Sequence, residues 1–161
     1  MKIVILIGTL IAILCFLTIF RRTGRRLTER QIIQSQQIVN AAMTQACNQL
    51  NDSIGIKQPQ SQLRSTLVAN IWGHEVMAFE FILPIERVMN RELIRTQLNA
   101  ALENYAQAHA VSKISDDEPA LLVTDLWFNQ EQTVLHVDVA HVDNEETLAY
   151  LHDLRRLNQS V

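Results

Sequence analysis

Cysteine is scarce in this chain, and its two copies, Cys15 and Cys47, do little for each other. Cys15 sits in an apolar run near the start and Cys47 well beyond it, so a disulfide framework is excluded. No C-x-x-C occurs, which excludes zinc held on paired thiolates. Glycine is nearly as rare: Gly8, Gly24, Gly55 and Gly73 are scattered, so there is no glycine-rich loop to cradle a phosphate. No G-x-S-x-G elbow is present, and Cys47 has no histidine near it in the sequence. Basic residues are lacking where a nucleic-acid partner would need them. Residues 31–161 hold eight Lys or Arg against sixteen Asp or Glu, a formal −8. That balance argues against phosphate-backbone binding. It suits solubility beside an anionic bilayer, or a basic protein partner.

What the chain does have is one long run without charge, Ile3 to Phe20. As a helix it would measure about 27 Å at 1.5 Å per residue, close to a hydrocarbon core of about 30 Å. The run is longer than the apolar stretch of a cleavable signal, its basic n-region is Lys2 alone, and no A-x-A-like site follows. Residues 1–20 therefore read as a single-pass transmembrane signal-anchor. Residues 21–30 form a basic flank, with Arg21, Arg22, Arg25 and Arg26 placed to meet membrane-surface headgroups. The excess of Lys and Arg after the helix puts the C-terminal domain in the cytoplasm. The reverse orientation would make it an exported envelope-assembly domain.

Thr28 and Gln31 stand at capping-box spacing and open a helix over residues 28–51. Ile32, Val39, Met43, Ala46 and Leu50 recur in steps of three, four and seven, a heptad seam with Gln36 lodged in it. Between Arg30 and Asp52 there is no charge. Such a helix is expected to be an amphipathic stalk, either pairing as a coiled-coil homodimer through the seam or lying back on the domain. Residues 52–63, with Gln, Ser, Asp, Gly and Pro and few apolar residues, read as a linker, and residues 64–161 as the folded domain.

Within that domain the periodicity alternates between strand and helix. Strands are expected over 67–72, 75–83, 121–128 and 133–141. Asn90 is a good cap for a helix running to about His109, with Ile94, Leu98, Ala101, Leu102 and Tyr105 on one stripe. Asp143 or Asn144 should cap a last helix, with Leu148, Leu151 and Leu154 inward. LVANIW at 67–72 resembles LVTDLW at 122–127 at an offset of 55, which suggests an internal repeat over 64–110 and 119–158. The fold class that follows is α+β. After the anchor and stalk, a ββα–ββα domain pools its hairpins into a four-stranded antiparallel sheet, with both helices on one face.

Strict alternation divides the sheet residues. Leu67, Ala69, Ile71, Met77, Phe79, Phe81, Leu122, Leu126, Phe128, Leu135, Val137 and Val139 should face the helices. Asn70, Trp72, Glu80, Asp125, Trp127, His136 and Asp138 should share the other face. Tryptophans among acids and a histidine make a candidate partner-binding surface, since aromatics are enriched at interfaces. Asp125, His136 and Asp138 are also the only set resembling a metal or acid–base cluster. The sequence thus favours a non-catalytic, membrane-anchored binding or assembly module without a cofactor. A membrane-tethered hydrolase or metal-binding protein using that trio is the alternative.

Overall fold

The computed structural model describes residues 29–57, 61–68 and 75–159. The signal-anchor, Arg21, Arg22, Arg25 and Arg26 of its flank, and Asn70 and Trp72 of the candidate face lie outside the described residues. Among the described residues no helix is long and apolar enough to cross a membrane. The chain divides into two units, Met1–Gln34 and Ser35–Val161. The second is an α+β unit.

Its sheet has four antiparallel strands: β1 (Thr66–Leu67), β2 (Ala78–Pro84), β3 (Leu121–Phe128) and β4 (Val134–His141). They are ordered β1-β2-β4-β3, so the second strands of the two hairpins pair at the centre. That central pairing runs from Ala78↔Ala140 to Pro84↔Val134. Helix α1 covers residues 29–54, α2 Arg91–Ala108 and α3 Glu145–Gln159. The order after α1 is therefore ββα–ββα. Asn90 caps α2, its Oδ1 accepting the Glu92 and Leu93 amides at 2.9 and 3.1 Å. Asn144 does the same for α3 through the Thr147 amide.

One face of the sheet is fully buried: Phe79, Phe81, Leu135, Val137 and Val139 are at most 1% exposed. α2 packs along β3 with Ile94, Leu98 and Leu102 buried. It also protects the edge of that strand, because Asn99 Oδ1 accepts the Val123 amide at 2.8 Å. α1 reaches the same face through Ser35, whose Oγ lies 2.9 Å from Nδ1 of His141, a residue in register with Leu121.

The helix expected to be a stalk belongs, from Ser35 onward, to the compact unit. Val39, Met43 and Ala46 of the seam are buried, as are Ala42 and Cys47 beside them, whereas Leu50 is half-buried. The stripe is broader than a coiled-coil seam and rich in small residues, the pattern of a helix laid on a core. Its uncharged polar residues are also explained. Asn40 Oδ1 accepts from both the amide and the hydroxyl of Ser65, Gln36 Nε2 donates to the Ser65 carbonyl, and Thr44 Oγ1 accepts the Leu63 amide. These side chains strap the extended segment 63–65 along the helix. The boundary read at residue 64 thus moves to Ser35, and α1 runs to 54, inside the segment read as linker.

α3 does not share the buried face with α2, as the sequence reading had it. It covers one end of the opposite face, where Tyr150 and Leu151 pack with Ala78 and Ala140, and with Leu122, Leu148 and Leu154 around them. Thr147, fully buried, fixes this seat by accepting the Met77 amide at 2.9 Å. Leu157 is 55% exposed, so the inward stripe ends at Leu154.

The repeat also needs correction in register. Leu67 pairs with Phe79, Phe79 with Val139 and Val139 with Val123, so Leu67 shares a face with Val123. Its partner at an offset of 55, Leu122, lies on the other face. The element order is repeated, but the LVANIW–LVTDLW alignment does not superpose side chains.

α1 ends in a Schellman turn. Gly55 sits at φ +71, and the Ile56 amide donates to Asn51 O at 3.1 Å. A Cβ at Gly55 would lie 2.7 Å from Arg87 O. Gly55→Ala should therefore cost about 1–3 kcal/mol, read as a lower urea midpoint. An unchanged midpoint would show that the turn tolerates a side chain.

Candidate recognition face

Among the described residues the sheet face shared with α3 is only half covered, and its open half is built from two rows of side chains. Thr66, Glu80, Asp138 and Asp125 are in register across all four strands. The next row holds Ile82, His136 and Trp127. Five of the seven residues expected on this face, Glu80, Asp125, Trp127, His136 and Asp138, are thus brought together.

A bulge in β3 makes this possible. Val123 pairs with Val139, but Asp125 pairs with Asp138, leaving Thr124 as the extra residue. Before the bulge Leu121 and Val123 face the core. After it Leu126 does, while Asp125 and Trp127 join His136 and Asp138. Leu122, expected toward the core by strict alternation, lies instead under α3. The carbonyls loosened by the bulge accept from Arg95 Nη1, at 3.0 Å for Val123 and 3.3 Å for Thr124. Thr124 Oγ1 donates to the Asp138 carbonyl at 3.3 Å.

The two rows interlock diagonally. His136 Nδ1 lies 2.7 Å from Glu80 Oε1, with both side chains partly exposed. The His136 ring stacks on Trp127, centroids 4.9 Å apart and planes 9° from parallel. Ile82, in the same row, is 58% exposed. Asp138 is the buried member, 8% exposed, and its Oδ1 has no hydrogen-bond partner. Burial, then repulsion from Glu80 and Asp125, pushes its carboxyl up to about 7, against a smaller pull from His136. Tyr150 of α3 closes the site's covered end. Its phenol is raised, first by burial and also by Asp138 and Asp125, while a hydrogen bond with Thr124 acts the other way.

Asp125, His136 and Asp138 do not form a ligand set. Among the described residues no group of three or more His, Cys, Asp or Glu is placed to hold a metal ion. Two other chemically suggestive groups among the described residues are closed off. Cys47 is buried and its thiol is pushed up to about 12 by desolvation. Ser35 and His141 do meet, but at 2% and 1% exposure, with His141 Nε2 held by Ser112 O at 3.1 Å. Burial holds the His141 imidazole below its usual range, so this closed pair pins α1 to β4.

Sequence reasoning missed Ile82 and Tyr150. Ile82 stands two residues from Glu80, on the same face, and was within reach of the period-two pattern. Tyr150 was not, because nothing local says which face α3 covers.

The proton on Asp138 gives a stability profile with a definite sign. The folded carboxyl keeps its proton up to about pH 7, while the unfolded chain releases it near 3.8. The stability tied to that proton is full below about pH 4 and is lost as pH rises through 7. Asp138→Asn should match the wild-type chain near pH 4 and exceed it at pH 8 by on the order of 3 kcal/mol. Urea midpoints across that range would measure it, and a difference independent of pH would refute it.

No protein-family model matches the chain, and neither a curated protein nor a solved structure matches it.

Proposed function

We propose that this chain is a non-catalytic, membrane-anchored binding or assembly module. The apolar run Ile3–Phe20 would tether it, the arginine flank would hold the domain on the cytoplasmic side, and the open half of the sheet would seat a protein partner. One observation carries this reading: a sheet face left half bare by α3, with a Trp127–His136 stack and an exposed Ile82 in one row across it. Flat aromatic surface that is already ordered loses little side-chain freedom on docking, and tryptophan beside an aliphatic residue is a frequent anchor at interfaces.

Two experiments test this. A photo-crosslinking residue placed at Ile82 in cells should give one discrete protein adduct, and the same residue at Gln45, exposed on α1, should not. Trp127→Ala should weaken the Ile82 adduct at least fivefold while thermal unfolding stays within a few degrees. Equal labelling from both positions, or none from Ile82, would sink the recognition face. A reporter fused at the C-terminus and active only in the cytoplasm should be active; an inactive one, alongside an active exported reporter, would reverse the orientation.

A further inference from the structure

The acids of the open face are answered unequally. Glu80 has His136 at 2.7 Å. Asp125 Oδ1 accepts the Leu126 amide at 2.7 Å, a neutral donor. Asp138, more than nine-tenths buried, has an oxygen with no hydrogen-bond partner. Among the described residues no Lys or Arg pairs with Asp125 or Asp138: the ion pairs lie at Arg95–Glu92, Lys113–Asp116, Arg155–Glu118 and Arg156–Asp153. Three carboxylates stand in register on adjoining strands with a single histidine among them. Like charges directly opposite destabilise a sheet, and an unsatisfied buried oxygen adds its own desolvation cost.

Resting on the recognition face just described, we infer that its occupant is a lysine- or arginine-bearing segment of a protein partner, with a cation seated at Asp125 and Asp138 beside the Trp127–His136 stack. A polyatomic cation fits where a metal ion does not, because the carboxylates line a row rather than converge on one point. Asp125, the exposed acid of the row, can accept an N–H from such a cation, a charge-assisted bond being the strong form of that contact, while the buried and unpaired Asp138 adds its charge from beneath. The neighbouring indole offers a π-face to the same cation. Ile82, 58% exposed in the adjoining row, offers apolar cover for the stem of the side chain.

Proton linkage follows from the groups that face Asp138. Glu80 on β2 and Asp125 on β3 repel its charge, His136 on β4 pulls the other way more weakly, and Tyr150 on α3 stays neutral. A cation that requires the ionised carboxylate displaces the proton. Binding should therefore tighten as pH rises, by up to about tenfold between pH 6 and 8 for a single carboxyl near 7.

The test uses the full chain in neutral detergent micelles, with Trp72→Phe so that indole signals report Trp127. The probes are an eight-residue peptide alternating Arg and Gly, and its counterpart with Gln for Arg. The Arg peptide should shift the Trp127 signal saturably, bind at least tenfold more tightly than the Gln peptide, and tighten toward pH 8. Asp125→Asn with Asp138→Asn should abolish both the preference and the pH dependence. Equal binding of the two peptides, or unchanged preference in the double variant, overturns the charge assignment. If the Ile82 adduct persists alongside that result, the recognition face stands with a different partner chemistry; if the adduct is also missing, both readings fall. Replacing Arg21, Arg22, Arg25 and Arg26 with Gln is the last arm. Tenfold tighter peptide binding would assign the seat to the chain's own flank and overturn the partner.

Discussion

A single extra residue in β3 decides what the open face of this sheet is made of. Side chains on a strand alternate with a period of two, so one inserted position exchanges the faces of everything after it. Without the bulge at Thr124, the strand that buries Leu121 and Val123 would bury Asp125 and Trp127 as well. With it, both halves of β3 keep their apolar residues in the core, and the acid and the tryptophan emerge beside Asp138 and His136. The bulge is held in place from outside the sheet, by Arg95 and Asn99 of α2 on the Val123 and Thr124 backbone. The composition of the candidate face thus depends on a helix packed elsewhere.

Much of this architecture is legible in the chain itself. The strands of the second hairpin, the Asn90 and Asn144 caps and the inward stripe of α2 follow from local periodicity and capping chemistry, which need no tertiary information. The grouping of Glu80, Asp125, Trp127, His136 and Asp138 was also accessible. For β2 and β4 it follows from alternation. For β3 strict alternation is correct from Asp125 onward and fails at Leu122, on the other side of the bulge. Bulges leave little local trace when the extra residue is an ordinary threonine.

What was not legible is long-range. Val39, Met43 and Ala46 repeat as a seam in either setting, and periodicity cannot say whether such a seam meets another helix or a sheet. The deciding contacts are polar and distant in sequence: Asn40 and Gln36 on Ser65, Ser35 on His141. The side on which α3 lies is set in the same way, by Thr147 and the small residues Ala78 and Ala140, which let the helix approach. Small residues at a sheet position look like weak core from the sequence. In the fold they are the floor of a second layer.

The same choice leaves the other half of that face bare. α3 could cover it only by burying the acid row further, and Asp138 at 8% exposure already holds its carboxyl near 7. Burying Glu80 and Asp125 as well would desolvate two more carboxylates with one histidine to offset them, a cost of several kcal/mol per unpaired ion. The helix instead seats over Ala78, Ala140 and Leu122, where the face is apolar, and its buried Tyr150 is the residue whose phenol feels Asp138 and Asp125. The acid row therefore limits how far the fold can close over its own sheet. A surface kept open by its charge, and flanked by an ordered aromatic stack, is one that a partner bearing the opposite charge completes at less cost than the chain's own helix.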